Sequence, residues 1–257
     1  MFFNEFSNVD GARGAAAGKY YISPDYSEFQ DRISGNLKHA WKFKTPSTSD
    51  KTYITISCKD IKNYCGKKSE DSKTIGDYGW IDNGWWGYYH YITLCPSFFT
   101  VDNLTEQIEK IEKELSRGEK KMATDMRYLQ TTGQYFLHEL THTRLVYDDQ
   151  PEIIDEYIFP PDGGPGARFK AYGPWAVHKL ANLSKSRGGE ATRGSTNADS
   201  YAMLANCLWW WDVTGYFPAA VPPPRIAQAN SIEEGLLFLH VDIGKNQCCN
   251  WSGWLQI

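Results

Sequence analysis

Two histidines four residues apart, the first followed directly by a glutamate, dominate the middle of this chain: His138-Glu139-Leu140-Thr141-His142. Residues four apart lie on one face of an α-helix, so both imidazoles can reach one metal ion if this segment is helical. Two neutral nitrogen ligands suit Zn²⁺, and Glu139 stands where it can accept a proton from a metal-bound water. The apolar pattern around the motif predicts a long buried helix over residues 125–146.

The alternative interpretation is a chance match on an ordinary amphipathic helix. A chain with 6 histidines is expected to contain only roughly 0.01 such patterns by composition alone. The apolar residues that flank the motif are also placed as a buried metal-binding helix requires. The motif therefore predicts a site for one zinc ion per chain.

A catalytic zinc site needs a third protein ligand and an open position for water. The common extension with a glycine and a third histidine is absent, because Leu145 and Asp148 stand at those positions. The segment downstream is acidic instead. The candidate ligands are Asp148, Asp149, Glu152, Asp155, Glu156 and, further along, Asp199.

Three segments together resemble the deuterolysins, or aspzincins, a family of secreted fungal zinc endopeptidases. They are the HELTH motif, the pair Tyr172-Gly173, and Asn197-Ala198-Asp199-Ser200-Tyr201-Ala202, and the likeness spans roughly residues 90–210. It implies an α+β, zincin-like metallopeptidase fold. A small mixed sheet and the HELTH helix would form an upper lobe, above a helical lower lobe.

The resemblance also implies roles for single residues. His138 and His142 would bind zinc together with one aspartate, Glu139 would act as base and then acid, and Tyr172 would stabilise the oxyanion. The alternative for Tyr172 is a packing role, since the chain has 16 tyrosines.

The position of the aspartate ligand departs from the family pattern. Phe169 occupies the slot of that ligand before Tyr172, and the Gly/Pro-rich stretch 160–168 suggests an insertion there. Asp155, thirteen residues after His142, would then be the displaced ligand. Asp199 is the rival ligand, and it is otherwise expected behind the metal, near the substrate pocket, or as a helix N-cap with Asn197. Asp148, Asp149 and Glu156 are interpreted as surface charges.

Pattern and composition give a single domain over residues 1–257. Alternating apolar residues predict strands, one of them an edge strand near 88–94 that could pair with a peptide, and helical spacing predicts helices. The predicted segments are an extended N-terminal arm (1–25), helices at 26–45, 104–117, 174–186 and 197–211, strands at 52–58 and within 84–99, and a C-terminal segment tied by disulfides (218–257).

Six widely spaced cysteines form no CxxC pair and are interpreted as up to three disulfides of a secreted, extracellular protein. Sequons at Asn103, Asn182 and Asn250 agree with a secreted glycoprotein. The charged start of the chain is not a signal peptide, so either the signal and any pro-segment have been removed or the secretory interpretation is wrong. The first alternative is the expectation. A net charge of −4 argues against nucleic-acid binding, and no apolar run is long enough for a membrane span.

The sequence therefore predicts a monomeric zinc endopeptidase that acts on peptide or protein substrates. Ala202 stands where lysine-specific relatives carry a glutamate, so strict selection of lysine is not expected. The alternative is a non-catalytic zinc-binding relative that acts as an interaction or allergen-like protein. An esterase that uses the same water is a third possibility.

Overall fold

The computed structural model describes residues 9–42, 53–58, 60, 65, 76–82, 88–158, 168–183 and 191–221. Helices and two small sheets alternate along the chain, so the predicted α+β class is confirmed. The helices are α1 (Ala12–Tyr21), α2 (Gln30–Lys42), α3 (Leu104–Leu115), α4 (Lys121–Thr124), α5 (Thr132–Thr141), α6 (Arg144–Tyr147), α7 (Gly173–Asn182), α8 (Ala191–Gly194) and α9 (Ala198–Thr214). The strands are β1 (Tyr53–Ser57), β2 (Gly76–Asp82), β3 (Tyr88–Leu94), β4 (Tyr157–Ile158) and β5 (Phe169–Lys170).

The three-stranded sheet has the order β1-β3-β2, with β1 parallel and β2 antiparallel to β3. This is the small mixed sheet that was expected. The prediction of an edge strand at 88–94 is wrong, because β3 is hydrogen-bonded on both sides. Its apolar and aromatic residues fit this central position, which buries Ile92 completely. Strand β2 lies at the edge instead and contacts α5.

Helix α5 carries the HELTH motif in its last turns and is shorter than predicted. The segment 125–146 divides into a 3₁₀ turn (Met126–Tyr128), α5 and α6. The Thr141 hydroxyl donates to the His138 carbonyl at 2.7 Å, and the Thr143 hydroxyl donates to the Leu140 carbonyl at 2.8 Å. These bonds satisfy carbonyl groups where the helix ends. His142 is the C-cap residue with helical dihedrals (φ −69°, ψ −13°), so the four-residue spacing of the two histidines is kept.

Helix α9 is the central helix of the core and contacts α5, α1 and α7. Its residues from Ala198 to Leu208 are all buried, because the sequence offers no polar stripe for solvent. The Asn206 amide donates to Gln134 Oε1 of α5 at 2.8 Å and to the Leu129 carbonyl at 2.9 Å. Buried amide groups need such partners, so these bonds fix α5 against α9.

The expectation of an extended arm over residues 1–25 is wrong for residues 12–21, which form α1. This helix contacts α7 and α9, and it buries Ala17 and Tyr21. Gly18 permits the contact with Tyr26, because a Cβ atom at residue 18 would lie 2.4 Å from that ring. The small residues that suggested an arm therefore allow close packing.

The other predicted segments agree with the structure. Helix α3 begins with a capping box between Asn103 and Glu106, and Ile111 on its inner face is fully buried. The sequon residues Asn103 and Asn182 are exposed, whereas Asn250 and most of the predicted 218–257 segment lie outside the described residues. No helix in the described ranges combines the length and the apolar character that crossing a bilayer demands.

The cysteines are paired only in part. Cys65 and Cys95 form a disulfide that closes a 30-residue separation. Cys207 is a buried free thiol in α9, and burial raises its pKa. Three intrachain disulfides would require all six cysteines. Because Cys207 is free, the expected upper limit of three disulfides is too high. Cys248 and Cys249 lie outside the described residues.

Reduction of Cys65–Cys95, or the double substitution Cys65→Ser/Cys95→Ser, is expected to lower the free energy of unfolding by about 3–4 kcal/mol. The reason is that the unfolded chain gains conformational entropy when a loop of this length is no longer closed. Urea unfolding with and without reductant measures the change. Alkylation should label Cys207 only after denaturation. An unchanged urea midpoint after complete reduction, checked by mass, would contradict the stabilising role.

Candidate metal centre

The two histidines of the motif direct their Nε2 atoms at one oxygen atom. Asp155 Oδ1 lies 3.3 Å from His138 Nε2 and 3.3 Å from His142 Nε2. The two rings are 5.1 Å apart between centroids and nearly perpendicular. Three potential ligand atoms from α5 and from the segment before β4 therefore meet at one point.

The second nitrogen of each imidazole is held by a hydrogen-bond acceptor. His138 Nδ1 lies 2.9 Å from Asp199 Oδ1, and His142 Nδ1 lies 2.8 Å from the carbonyl oxygen of Ile153. A carboxylate and a carbonyl only accept, so each Nδ1 carries the hydrogen. In the neutral imidazole this leaves the lone pair on Nε2, which is the form that binds a metal.

The Asp155 carboxylate supports the same interpretation. Its Oδ1 atom is buried and has no hydrogen-bond partner among the described residues, although both imidazoles are near. Three atoms that each present a lone pair repel one another unless a cation or a proton lies between them. Two ligands at the usual distances from a tetrahedral zinc ion lie roughly 3.3–3.5 Å apart, which matches the two measured separations. The donor set therefore fits a divalent metal ion.

Glu139 belongs to the same cluster. His138, Glu139 and His142 offer ligand atoms that all lie within 4.8 Å of one another, and this group could hold a metal ion. Glu139 and Asp155 thus compete for the role of carboxylate ligand. Asp155 is the better placed of the two, because one of its oxygens lies 3.3 Å from both Nε2 atoms.

A short hairpin brings Asp155 and Tyr172 together. Tyr157 of β4 pairs with Lys170 of β5, so the positions two residues outward, 155 and 172, also face each other. The Tyr172 hydroxyl donates to Asp155 Oδ2 at 2.6 Å. Residues 159–167, which include most of the suggested insertion, lie between these strands and outside the described residues.

Phe169 takes no part in the site, as expected for a side chain that cannot bind a metal. It pairs with Ile158 in the hairpin and stacks on Trp175 of α7. The hairpin packs on α7 through these apolar contacts, which gives the segment around Asp155 a fixed support.

Asp199 supports the site from behind. Its Oδ1 atom accepts a hydrogen bond from His138 Nδ1 at 2.9 Å, and its Oδ2 atom accepts one from the backbone N–H of Gly173 at 2.5 Å. The side chain is only 7% exposed, so neither oxygen is offered to solvent. Asp199 orients an imidazole and holds the chain that follows Tyr172.

Asn197 lies at the N-cap position of α9, but its side chain makes no capping bond. Its Oδ1 atom accepts the Glu156 amide at 3.1 Å, and its Nδ2 atom donates to Ser200. The alternative of an N-cap side chain is therefore wrong for Asn197. Its amide instead ties the segment of Asp155 to the start of α9.

Electrostatics in the cluster follow from burial and close partners. Burial alone would lower the pKa of His138, but the nearby carboxylates of Asp155 and Asp199 raise it well above its ordinary value. Burial alone would raise the pKa of Asp155, but the nearby imidazoles of His138 and His142 lower it. Burial, together with the Asp155 charge, raises the pKa of Tyr172, so its hydroxyl stays protonated.

Three contributions were not predicted from sequence. Lys170 contacts Asp155 and Tyr172, and the Ile153 carbonyl orients His142. Glu156 was expected on the surface but is buried, where it accepts from Arg193 at 2.6 Å and from Thr196 at 2.9 Å. Glu156 directly precedes β4 and its carbonyl accepts the Ala171 amide, so it continues the strand alternation and faces the side opposite to Asp155.

The other histidines that the structure describes lie apart from the cluster, as expected. His39 and His178 contact the carbonyl groups of Val146 and Tyr20. His90 lies in β3, where burial lowers its pKa to about 4. His240 lies outside the described residues.

Comparison of the chain with protein-family models, with curated proteins and with solved structures gave no match. The sequence motif and the geometry of the cluster therefore carry the functional argument.

Substitutions in the cluster should weaken metal binding most where they remove a ligand, and less where they remove a group that only orients a ligand. Asp155→Ala should abolish tight zinc binding, as should His138→Ala, because each removes a ligand. Asp199→Asn should weaken binding only about 10–100-fold, as expected for a group that orients a ligand. Competition titration with a chromogenic chelator measures the affinities.

Asp149→Ala is the matched control, because Asp149 is an exposed aspartate near the motif. It should bind zinc like the wild type. If Asp199→Asn loses zinc completely while Asp155→Ala keeps it, the two aspartates have been assigned the wrong way round.

Proposed function

We propose that this protein is a secreted zinc-dependent endopeptidase with a zincin-like fold. The observation that carries the proposal is the convergence of His138 Nε2, His142 Nε2 and Asp155 Oδ1, with Glu139 beside them. Three ligands leave one position of a tetrahedral ion for water, which distinguishes catalytic from structural zinc sites. The resemblance to the deuterolysins points to the same chemistry.

Zinc is the metal that best suits this donor set. Two imidazole nitrogens and one carboxylate oxygen at tetrahedral separations are typical of catalytic zinc, whereas Mg²⁺ and Ca²⁺ prefer oxygen ligands in larger numbers. When bound, zinc lowers the pKa of a coordinated water to about 7 and polarises the carbonyl group of the substrate.

Glu139 and Tyr172 supply the proton chemistry in this proposal. Glu139 accepts the proton of the attacking water and delivers it to the leaving nitrogen of the peptide bond. The Tyr172 hydroxyl donates a hydrogen bond to the carbonyl oxygen of the substrate and stabilises the negative charge that develops there. The ring of Tyr172 lies 5.5 Å from that of His138, so its hydroxyl needs only a short movement from Asp155.

The edge strand β2 is the proposed support for an extended peptide. It contacts α5, the helix that carries the cluster, and its only strand partner among the described residues is β3. A peptide can add to such an edge through main-chain hydrogen bonds, which do not depend on side chains.

Selection of a lysine side chain by Asp199 is not part of the proposal. Both carboxylate oxygens of Asp199 are engaged by His138 and Gly173. Ala202, where lysine-specific relatives carry a glutamate, is fully buried. A substrate cation would therefore find no available carboxylate at these two positions.

The Cys65–Cys95 disulfide supports a secreted, extracellular location, since such bonds persist in oxidising compartments. The proposed substrates are peptides or proteins, and we propose a glycosylated monomer that binds no nucleic acid. The alternative is a zinc-binding interaction protein without activity. A base such as Glu139 beside the ligands has no use in a protein that only binds zinc.

Glu139→Gln should keep zinc and the fold but lose peptide hydrolysis by about 10³-fold or more, because an amide cannot accept the proton of water. Cleavage of a fluorogenic peptide library or of casein, with and without chelator, measures the activity. Glu109→Gln, on the exposed side of α3, should cleave like the wild type.

Two outcomes would overturn the proposal. A zinc-loaded wild type that cleaves no peptide would favour the interaction protein. Full activity of Glu139→Gln would remove Glu139 from the reaction.

A further inference from the structure

The Asp155 carboxylate divides its two oxygens between different tasks. Oδ1 faces the two imidazoles at 3.3 Å, whereas Oδ2 accepts from Tyr172 at 2.6 Å and from Lys170 at 2.8 Å. Lys170 Nζ also donates to the Tyr172 hydroxyl oxygen at 2.7 Å. Asp155, Tyr172 and Lys170 thus form a closed triangle of hydrogen bonds at the edge of the cluster.

We propose that Lys170 is a positioning residue of the metal centre, which holds Asp155 as a one-oxygen ligand and sets the direction of the Tyr172 hydroxyl. This inference rests on the proposed function. It assigns a task to a residue that no motif of the sequence singles out.

Strand geometry places Lys170 for this task. It stands two residues before Tyr172, so both side chains leave the strand on the same face. It also pairs directly with Tyr157, two residues after Asp155. The side chain crosses the Tyr172 ring, with Nζ 5.0 Å from the ring centroid, and its ammonium group reaches the carboxylate. The hairpin therefore delivers a cation to the oxygen of Asp155 that faces away from the histidines.

The first consequence concerns the ligand. A carboxylate can bind a metal through one oxygen or both, and donors on one oxygen favour binding through the other. Lys170 and Tyr172 occupy Oδ2, so Oδ1 alone is presented to the ion. Hydrogen bonds from an ammonium group to a carboxylate are charge-assisted and therefore stronger than those from neutral donors.

The second consequence concerns Tyr172. Its hydroxyl oxygen accepts from Lys170, so its own hydrogen must point elsewhere, now to Asp155 and in the reaction to the substrate oxygen. When the hydroxyl turns to the substrate, Asp155 Oδ2 would have no donor left among the described residues if Lys170 were absent. Lys170 keeps this partly buried charge paired, which lowers the cost of releasing the hydroxyl.

The opposing interpretation is a surface ion pair with no task. The Lys170 side chain is 40% exposed, and exposed ion pairs contribute little to stability. The two interpretations differ in what they predict for metal affinity and turnover. A surface pair would leave both quantities unchanged.

Lys170→Met and Lys170→Arg test the proposal, with Lys179→Met as the control. Lys179 also lies over an aromatic ring, with Nζ 5.0 Å from the Trp175 centroid, but it is on α7 and outside the triangle. Zinc affinity by chelator competition, the visible spectrum of the Co²⁺-substituted protein, and kcat and KM on one peptide are measured for each variant.

Lys170→Met is expected to lower zinc affinity by about 10–100-fold and to change the Co²⁺ spectrum, as loss of a group that orients a ligand does. It should lower kcat by a similar factor with little change in KM, because the hydroxyl acts in the transition state. Lys170→Arg should recover most of both losses, and Lys179→Met should match the wild type. In a Tyr172→Phe background, Lys170→Met should cost less in kcat than it does alone.

The inference would be overturned if Lys170→Met had a zinc affinity and a kcat within twofold of those of Lys179→Met, and the same Co²⁺ spectrum. If the loss in kcat of the double variant Lys170→Met/Tyr172→Phe equalled the product of the two single losses, Lys170 would not act through Tyr172. A wild type that binds zinc but hydrolyses nothing defeats the proposed function alone, because zinc affinity and the Co²⁺ spectrum still decide the task of Lys170.

Discussion

The alignment of two imidazoles by their Nδ1 atoms is the constraint on which the rest of the site depends. Asp199 holds His138 and the Ile153 carbonyl holds His142, so both Nε2 lone pairs are aimed at Asp155 Oδ1. Such an arrangement is unfavourable unless a cation or a proton lies between these atoms. The packing of the surrounding segments holds the atoms in place, and a divalent ion in the proposed site would offset their repulsion.

The fold meets this constraint by joining four separate segments of the chain. Helix α5 supplies the imidazoles, the segment before β4 supplies Asp155, the residues after β5 supply Tyr172, and α9 supplies Asp199. Asn197 binds the Glu156 amide, and Asp199 binds the Gly173 amide, so the start of α9 fixes both ends of the hairpin. The NADSYA segment therefore acts mainly as a clamp between these segments.

The sequence predicted what depends on local spacing. Periodicity predicted the common face of His138 and His142, the helices α3, α7 and α9, and the strand within 84–99. It did not predict what depends on tertiary pairing. The central place of β3, the burial of Glu156 and the contact of Lys170 with Asp155 arise from strand order and hairpin register. The helix α1 was missed because small residues suit an extended arm and a tightly packed helix alike.

The most direct test of the central claim is a crystal structure of the zinc-loaded protein with anomalous diffraction measured on both sides of the zinc edge. One zinc ion is expected about 2.0–2.2 Å from His138 Nε2, His142 Nε2 and Asp155 Oδ1, with a water as fourth ligand. Asp199 should remain on His138 Nδ1, outside the coordination sphere. An ion bound by Asp199 in place of Asp155, or no anomalous peak at this site under saturating zinc, would contradict it.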